Sequence, residues 1–278
     1  MNHKARILII LALFLGLALS AGPLPVTHAD TPIYVRTGGD DVNCDGTLDV
    51  DYDVSNGSNC AVQTIQKGID LVDTGGTVNV AAGTYTETIT IDKRIALIGA
   101  GSETTGTILT QNPTGAGDTK IGVIQIEASG ISDSQPLLIQ DLRIEPDHLA
   151  GISVGRFTEA TGKTVEYLKL DNVHVIGSNT NPSTEQERGF YVDLDSTVRH
   201  LTVTDCAFNN LTYGWYLQKV VSADESTVQY VTVTNTTFNH NNLKGIYAEK
   251  LSDATFTGCT VDGNGFSSDG VPWYFVDW

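Results

Sequence analysis

One pattern of apolar and polar positions recurs through the second half of the chain. Leu201-Thr-Val-Thr-Asp-Cys-Ala-Phe208, Val231-Thr-Val-Thr-Asn-Thr-Thr-Phe238 and Ala254-Thr-Phe-Thr-Gly-Cys-Thr-Val261 carry apolar or small residues at the first, third, sixth and eighth places. Two earlier copies are Leu137-Leu-Ile-Gln-Asp-Leu-Arg-Ile144 and Leu168-Lys-Leu-Asp-Asn-Val-His-Val175. Alternation within each half is the period of a strand with one buried face. The period breaks at Asp141, Asn172, Asp205, Asn235 and Gly258, residue types that tolerate the left-handed backbone of a sharp bend. A second phrase alternates with the first: Gly151-Ile-Ser-Val, Gly189-Phe-Tyr-Val, Gly214-Trp-Tyr-Leu and Gly245-Ile-Tyr-Ala.

Repeats of the first phrase at 31, 33, 30 and 23 residues predict successive coils of a solenoid. Neighbouring coils would lie about 4.8 Å apart in parallel register. The expected fold is all-β, a right-handed parallel β-helix. An antiparallel sandwich also accommodates many short strands, but it accounts neither for the constant bend position nor for the fixed order of the two phrases.

Before the coils, Val62, Ile65, Ile69 and Val72 form a helical stripe that ends at Asp73-Thr-Gly-Gly76. A short N-terminal capping helix is therefore expected over the open end of the first coil. Strands are expected at Thr77–Val80, Thr88–Ile91 and Ile95–Ile98, with a turn at Ala82-Gly-Thr84. Residues 1–29 read as a secretory leader: Lys4 and Arg6 precede an apolar run from Ile7 to Leu19, with Thr27-His-Ala29 as a cleavage site. The expected domains are thus the leader, a cap over 30–77 and coils over 78–278. The apolar stretch from Gly270 to Trp278 begins a further coil, one that folds over the stack or continues into a longer protein.

Formal charge is −17, and the leader contains no acidic residue, so the exported chain stays strongly acidic. Such a surface repels phosphate backbones, which removes nucleic acid as a partner. No apolar segment is long enough for a membrane span. The expected protein is a secreted or cell-surface monomer.

Two features of the cap carry candidate chemistry. Asp41, Asn43, Asp45 and Asp49 sit at places 1, 3, 5 and 9 of a calcium-loop spacing, with Gly46 at place 6, although Tyr52 stands where a closing carboxylate belongs. Calcium is the one candidate ion, and no other cofactor is expected. Cys44 and Cys60, sixteen residues apart, are expected to form a disulfide in an exported protein. Cys206 and Cys259 share one repeat position two coils apart, a separation of about 9.6 Å, and are expected to be inward-facing thiols.

The stretches Ala61-Val-Gln-Thr-Ile-Gln-Lys-Gly-Ile-Asp70, Gly76-Thr-Val-Asn-Val-Ala-Ala-Gly-Thr-Tyr-Thr-Glu87 and Ile91-Asp-Lys-Arg-Ile-Ala-Leu-Ile-Gly-Ala-Gly101 resemble the opening of the pectin lyase-like superfamily. That resemblance implies a right-handed parallel β-helix and a connection to polysaccharide chemistry. The superfamily's catalytic phrases find no counterpart in this chain: neither the paired aspartates of methylesterases, nor the Asn-Thr-Asp and Gly-His-Gly of polygalacturonases, nor the aspartate cluster of calcium-dependent lyases.

Aligning the second phrase turns Ile152/Phe190/Trp215/Ile246 and Val154/Val192/Leu217/Ala248 inward. It leaves Tyr191, Tyr216 and Tyr247 in one outward column, beside Asp193 and Glu249 and then Lys219 and Lys250, with Arg188 alongside. Tyrosine faces next to charged groups suit a glycan. The expected function is polysaccharide binding through Tyr191, Tyr216, Tyr247, Arg188 and Lys250. The alternative is a polysaccharide lyase or glycoside hydrolase using Asp193, Glu249 and Lys219, since two coils could place the carboxyls at the roughly 6.5–9.5 Å of an inverting pair. A third reading is a passive stalk.

Overall fold

The computed structural model describes residues 31–111, 122–147, 149–155, 162–178, 187–217, 228–265 and 276–277. The leader lies outside these residues. So do Lys219, the 220–226 connection and most of the C-terminal apolar stretch. Residues from Thr31 onward form one compact unit, and no described helix is long and apolar enough to cross a membrane.

The repeat register predicted from the phrases is the observed one. Leu137, Leu168, Leu201, Val231 and Ala254 are successive partners in parallel pairing. Ile152, Phe190, Trp215 and Ile246 are likewise partners in a second sheet. The first sheet runs through Ile33–Val35, Thr77–Val80, Ala96–Ile98, Leu137–Glu145, Thr164–Ile176, Thr197–Thr204, Val228–Thr234 and Leu251–Thr257. The second runs through Ile89–Ile91, Gly122–Ile126, Ala150–Val154, Arg188–Val192, Tyr213–Leu217, Lys244–Ala248 and Val276–Asp277. Each coil contributes to both sheets in turn, which makes the fold a parallel β-helix.

Between the sheets the inward columns are buried: Phe190, Trp215, Val192 and Leu217 have no exposed surface. Trp215 packs edge-on to Phe238 at 5.4 Å and to Phe208 at 5.8 Å, and tilts against Phe190 at 5.6 Å. Cys206 is buried and Cys259 half-buried, both as thiols.

The bend column is left-handed as its residue types predict, with φ of 55° at Asp141, 51° at Asn172, 52° at Asp205, 50° at Asn235 and 66° at Gly258. Two further bend columns flank it at five-residue intervals. One holds Asn210, His240 and Gly263; the other holds Tyr167, His200, Tyr230 and Asp253, all at positive φ. Aromatic residues at such positions cost about 1–2 kcal/mol each. They recover part of it by stacking: Tyr167 lies 4.4 Å from His200 with rings 10° apart, and His200 lies 4.9 Å from Tyr230 with rings 20° apart.

At the N-terminal end an α-helix spans Ile65–Leu71 and buries Ile65, Gly68 and Ile69. Gly68 permits the close approach, because a Cβ there would stand 2.7 Å from Val35 and 3.0 Å from Val78. The first turn is held by two carboxylates. Glu87 accepts from the backbone N–H groups of Ile65 and Gln66, and Asp41 accepts from those of Gln63 and Thr64 and from the Thr64 hydroxyl. Gly83 and Thr84, expected within a turn at Ala82-Gly-Thr84, belong instead to a strand, Gly83–Thr86, paired with Thr107–Thr110.

The predicted disulfide is present, joining Cys44 to Cys60 with Cα atoms 5.0 Å apart. The four residues at calcium-loop spacing each make other contacts. Asp41 turns to the helix, Asp45 closes its own turn by accepting from Thr47 N–H and Oγ1, and Asp49 pairs with Arg36 at 2.9 Å. Asn43 donates to Asp40. The four side chains diverge, and among the described residues no three carboxylate, histidine or cysteine groups converge as a metal site.

Candidate functional site

The second sheet displays three outward columns. Pairing places Tyr191 beside Tyr216 and Tyr216 beside Tyr247 in the central one. A flanking column is Arg188, Tyr213 and Lys244, the residues immediately before the glycine of each second phrase. On the other flank stand Asp193 and Glu249, whose backbone N–H groups donate to Val154 and Leu217. The glycines matter here because a Cβ at Gly189 or Gly214 would stand 2.3 Å from the carbonyl of the adjacent coil.

The tyrosines form one connected cluster. Tyr216 stacks on Tyr247 at 4.9 Å with rings 22° apart, and Tyr213 meets Tyr216 edge-on at 4.8 Å. Tyr191 tilts against Tyr216 at 5.9 Å. Two cations lie over ring faces, the Arg188 guanidinium 4.6 Å from Tyr216 and 4.9 Å from Tyr191, and the Lys244 ammonium 4.6 Å from Tyr247. Such contacts contribute about 0.5–1 kcal/mol at the surface and about 2 when dry. Each carboxylate takes a tyrosine hydroxyl two residues earlier: Tyr191 donates to Asp193 at 2.6 Å, and Tyr247 donates to Glu249.

Exposure varies along this face. Tyr213, Tyr216 and Tyr247 are half-buried and Glu249 is exposed. Tyr191 is 0% exposed, Asp193 6% and Arg188 5%. Burial raises the Tyr191 phenol above its ordinary value, and its bond to Asp193 raises it further. Tyr213 and Tyr216 are raised by burial too, and burial lowers Arg188.

Lys250, expected on the surface as a ligand-binding residue, is 1% exposed. Its ammonium donates to the backbone carbonyls of Asp193, Leu194 and Ser196, in a turn more than fifty positions earlier. Burial pushes its pKa down to about 8. Lys250 therefore braces the turn that carries Asp193. Tyr191 and Asp193 belong to the outward columns by direction, yet both are covered, so the accessible part of the face is Tyr213, Tyr216, Tyr247, Lys244 and Glu249. Lys219 lies outside the described residues. Tyr213 and Lys244 were missed by the phrase alignment, which began at each glycine; the column preceding the glycines would have revealed them.

No known protein family matches this chain, and no curated protein matches it. Among solved structures it is similar to ORF18 of Geobacillus virus E2, at 16% identity and a TM-score of 0.43, over 70% of this chain and 44% of that one. It is also similar to the pectate lyase Pel9A, at 15% identity and a TM-score of 0.34, over 88% of this chain and 57% of that one. The chain thus spans about half the length of these two structures. Its own strand pairings establish a parallel β-helix fold.

Proposed function

We propose that the chain is an exported module that binds extracellular polysaccharide through the tyrosine face of the second sheet. The observation that carries this reading is the half-buried trio Tyr213, Tyr216 and Tyr247 with Lys244 and Glu249 beside it. Rings offer their faces and edges to sugar rings, while the amine and carboxylate answer hydroxyls. The leader-like first 29 residues and the Cys44–Cys60 disulfide support an oxidising, extracellular setting.

Binding is favoured over hydrolysis by the state of the two carboxylates. Asp193 is buried and accepts the Tyr191 hydroxyl, and Glu249 accepts that of Tyr247. An inverting pair needs both groups to face a common space that admits water and substrate. The test is affinity electrophoresis of the purified chain through gels containing plant and bacterial polysaccharides, together with assays for reducing ends and unsaturated products. Retardation that Tyr216→Ala abolishes, without product, supports the binding module. Product formation that Asp193→Asn removes would replace this reading with the enzymatic one.

A further inference from the structure

The outer face of the first sheet carries a second ordered array, one that the tyrosine face does not involve. Thr202, Thr232 and Thr255 are register partners on three successive coils, and so are Thr204, Thr234 and Thr257. Their spacing is about 4.8 Å from coil to coil and about 6.7 Å along each strand. Thr232, Thr255 and Thr257 are exposed and the other three half-buried. No side-chain hydrogen bond among the described residues engages any of the six hydroxyls. The array is therefore a rigid lattice of methyl and hydroxyl groups open to a ligand.

Its margins are also ordered. Along one side runs the Tyr167, His200 and Tyr230 stack, ending in Tyr230 at 52% exposure. Along the other, the Asn235 amide donates to Asp205. One coil before the array, Lys169 and Asp171 occupy the two threonine columns and neutralise each other at 2.9 Å. Farther along the same face, the column of Thr204 continues to Asn79 and Tyr34, which line a cleft of about 370 Å³.

We infer that this face is a second docking surface, for an uncharged, extended polysaccharide chain lying along the stack of coils. The choice of partner follows from charge and chemistry. On a chain of formal charge −17, the array itself is uncharged; Lys169 and Asp171 pair with each other, and the Asp205 and Asp253 carboxylates at its margins accept from Asn235 and Ser252. It suits a polymer without carboxylates or phosphates, and a polyanion gains nothing there. A regular ladder of hydroxyls meets a polymer whose own hydroxyls repeat along its length, and the aromatic margin offers apolar contact to ring C–H groups. Ordered water would use the threonine lattice but not that margin. With the tyrosine face on the other sheet, the solenoid would present two glycan surfaces and bridge two chains.

The experiment is retention of the purified protein on microcrystalline cellulose particles, an uncharged, extended glycan. Thr232→Lys combined with Thr234→Asp reproduces the Lys169–Asp171 pair already accommodated in those columns. Tyr230→Asn removes the terminal ring and places at the bend a residue type the other bends use. Both variants are expected to retain the wild-type circular dichroism spectrum and to weaken retention at least tenfold. Failure of the wild type to be retained, or equal retention of both variants, overturns the inference. Inhibition of ice growth that the threonine double variant abolishes, without particle retention, reassigns the face to ordered water and overturns it equally. Retention lost with Tyr216→Ala but kept in the first-sheet variants leaves the tyrosine-face reading standing and this one refuted.

Discussion

The Asn235 side-chain amide donates to the Asp205 carboxylate at 3.0 Å, joining two bends one coil apart. Asn172 and Asp141 repeat the contact at 2.6 Å. The residue types that permit the left-handed bend thus also tie consecutive bends together. Replacing Asn235 by Ala adds the backbone cost and removes the amide, an expected loss of about 1–2 kcal/mol in urea unfolding. Asn235→Gly loses the amide but keeps the bend, as Gly258 does at φ 66°, and should cost less. Equal losses in the two variants would show that the bend conformation contributes nothing.

The Cys44–Cys60 disulfide closes a loop rich in charged and exposed residues, in which Tyr52 packs against the core beside the two cysteines. Reduction is expected to lower stability by about 3 kcal/mol on the chain-entropy estimate. Melting curves with and without reductant check this, and the paired change Cys44→Ala with Cys60→Ala should match the reduced protein.

Glu87 accepts two helix N–H groups from a half-buried position, and burial raises its pKa. A carboxyl raised in the folded state holds a proton that the unfolded chain has already released. Its contribution is fully present below the unfolded value and is lost as pH rises through the folded one. The urea midpoint of the wild type should therefore decline from pH 4 toward neutrality more steeply than that of Glu87→Gln. Parallel pH profiles for the two proteins would remove Glu87 as the cause.

Lys250→Met leaves the carbonyls of Asp193, Leu194 and Ser196 without their shared donor. An expected loss of about 1–3 kcal/mol follows from unsatisfied buried acceptors. Trp215→Ala, at the centre of the aromatic core, is expected to cost about 3–5 kcal/mol. Chemical denaturation measures both, and a surface role for Lys250 would predict no change in stability.

What the sequence made legible was what repeats. Asp141, Asn172, Asp205, Asn235 and Gly258 announce their backbone geometry by residue type, and the strands between them announce their direction by alternation. The bends at Tyr167, His200 and Tyr230 were not legible, because aromatic residues carry no left-handed preference; only the five-residue interval from the neighbouring bend marks them. Alternation gives the direction of a side chain but not what covers it, so Tyr191, Asp193 and Lys250 were read as surface residues. Spacing likewise does not give the partners of the cap's acidic residues. Asp41, Asp45 and Asp49 are spaced as ligands, but each finds a nearer donor, in Thr64, Thr47 and Arg36.

The reach of Lys250 has a mechanical consequence. Coils joined only to their immediate neighbours peel away one at a time when a solenoid is pulled along its axis. By gripping the 193–196 turn from two coils away, Lys250 joins coils that are not neighbours in the stack, so the later one cannot peel away without releasing the earlier turn.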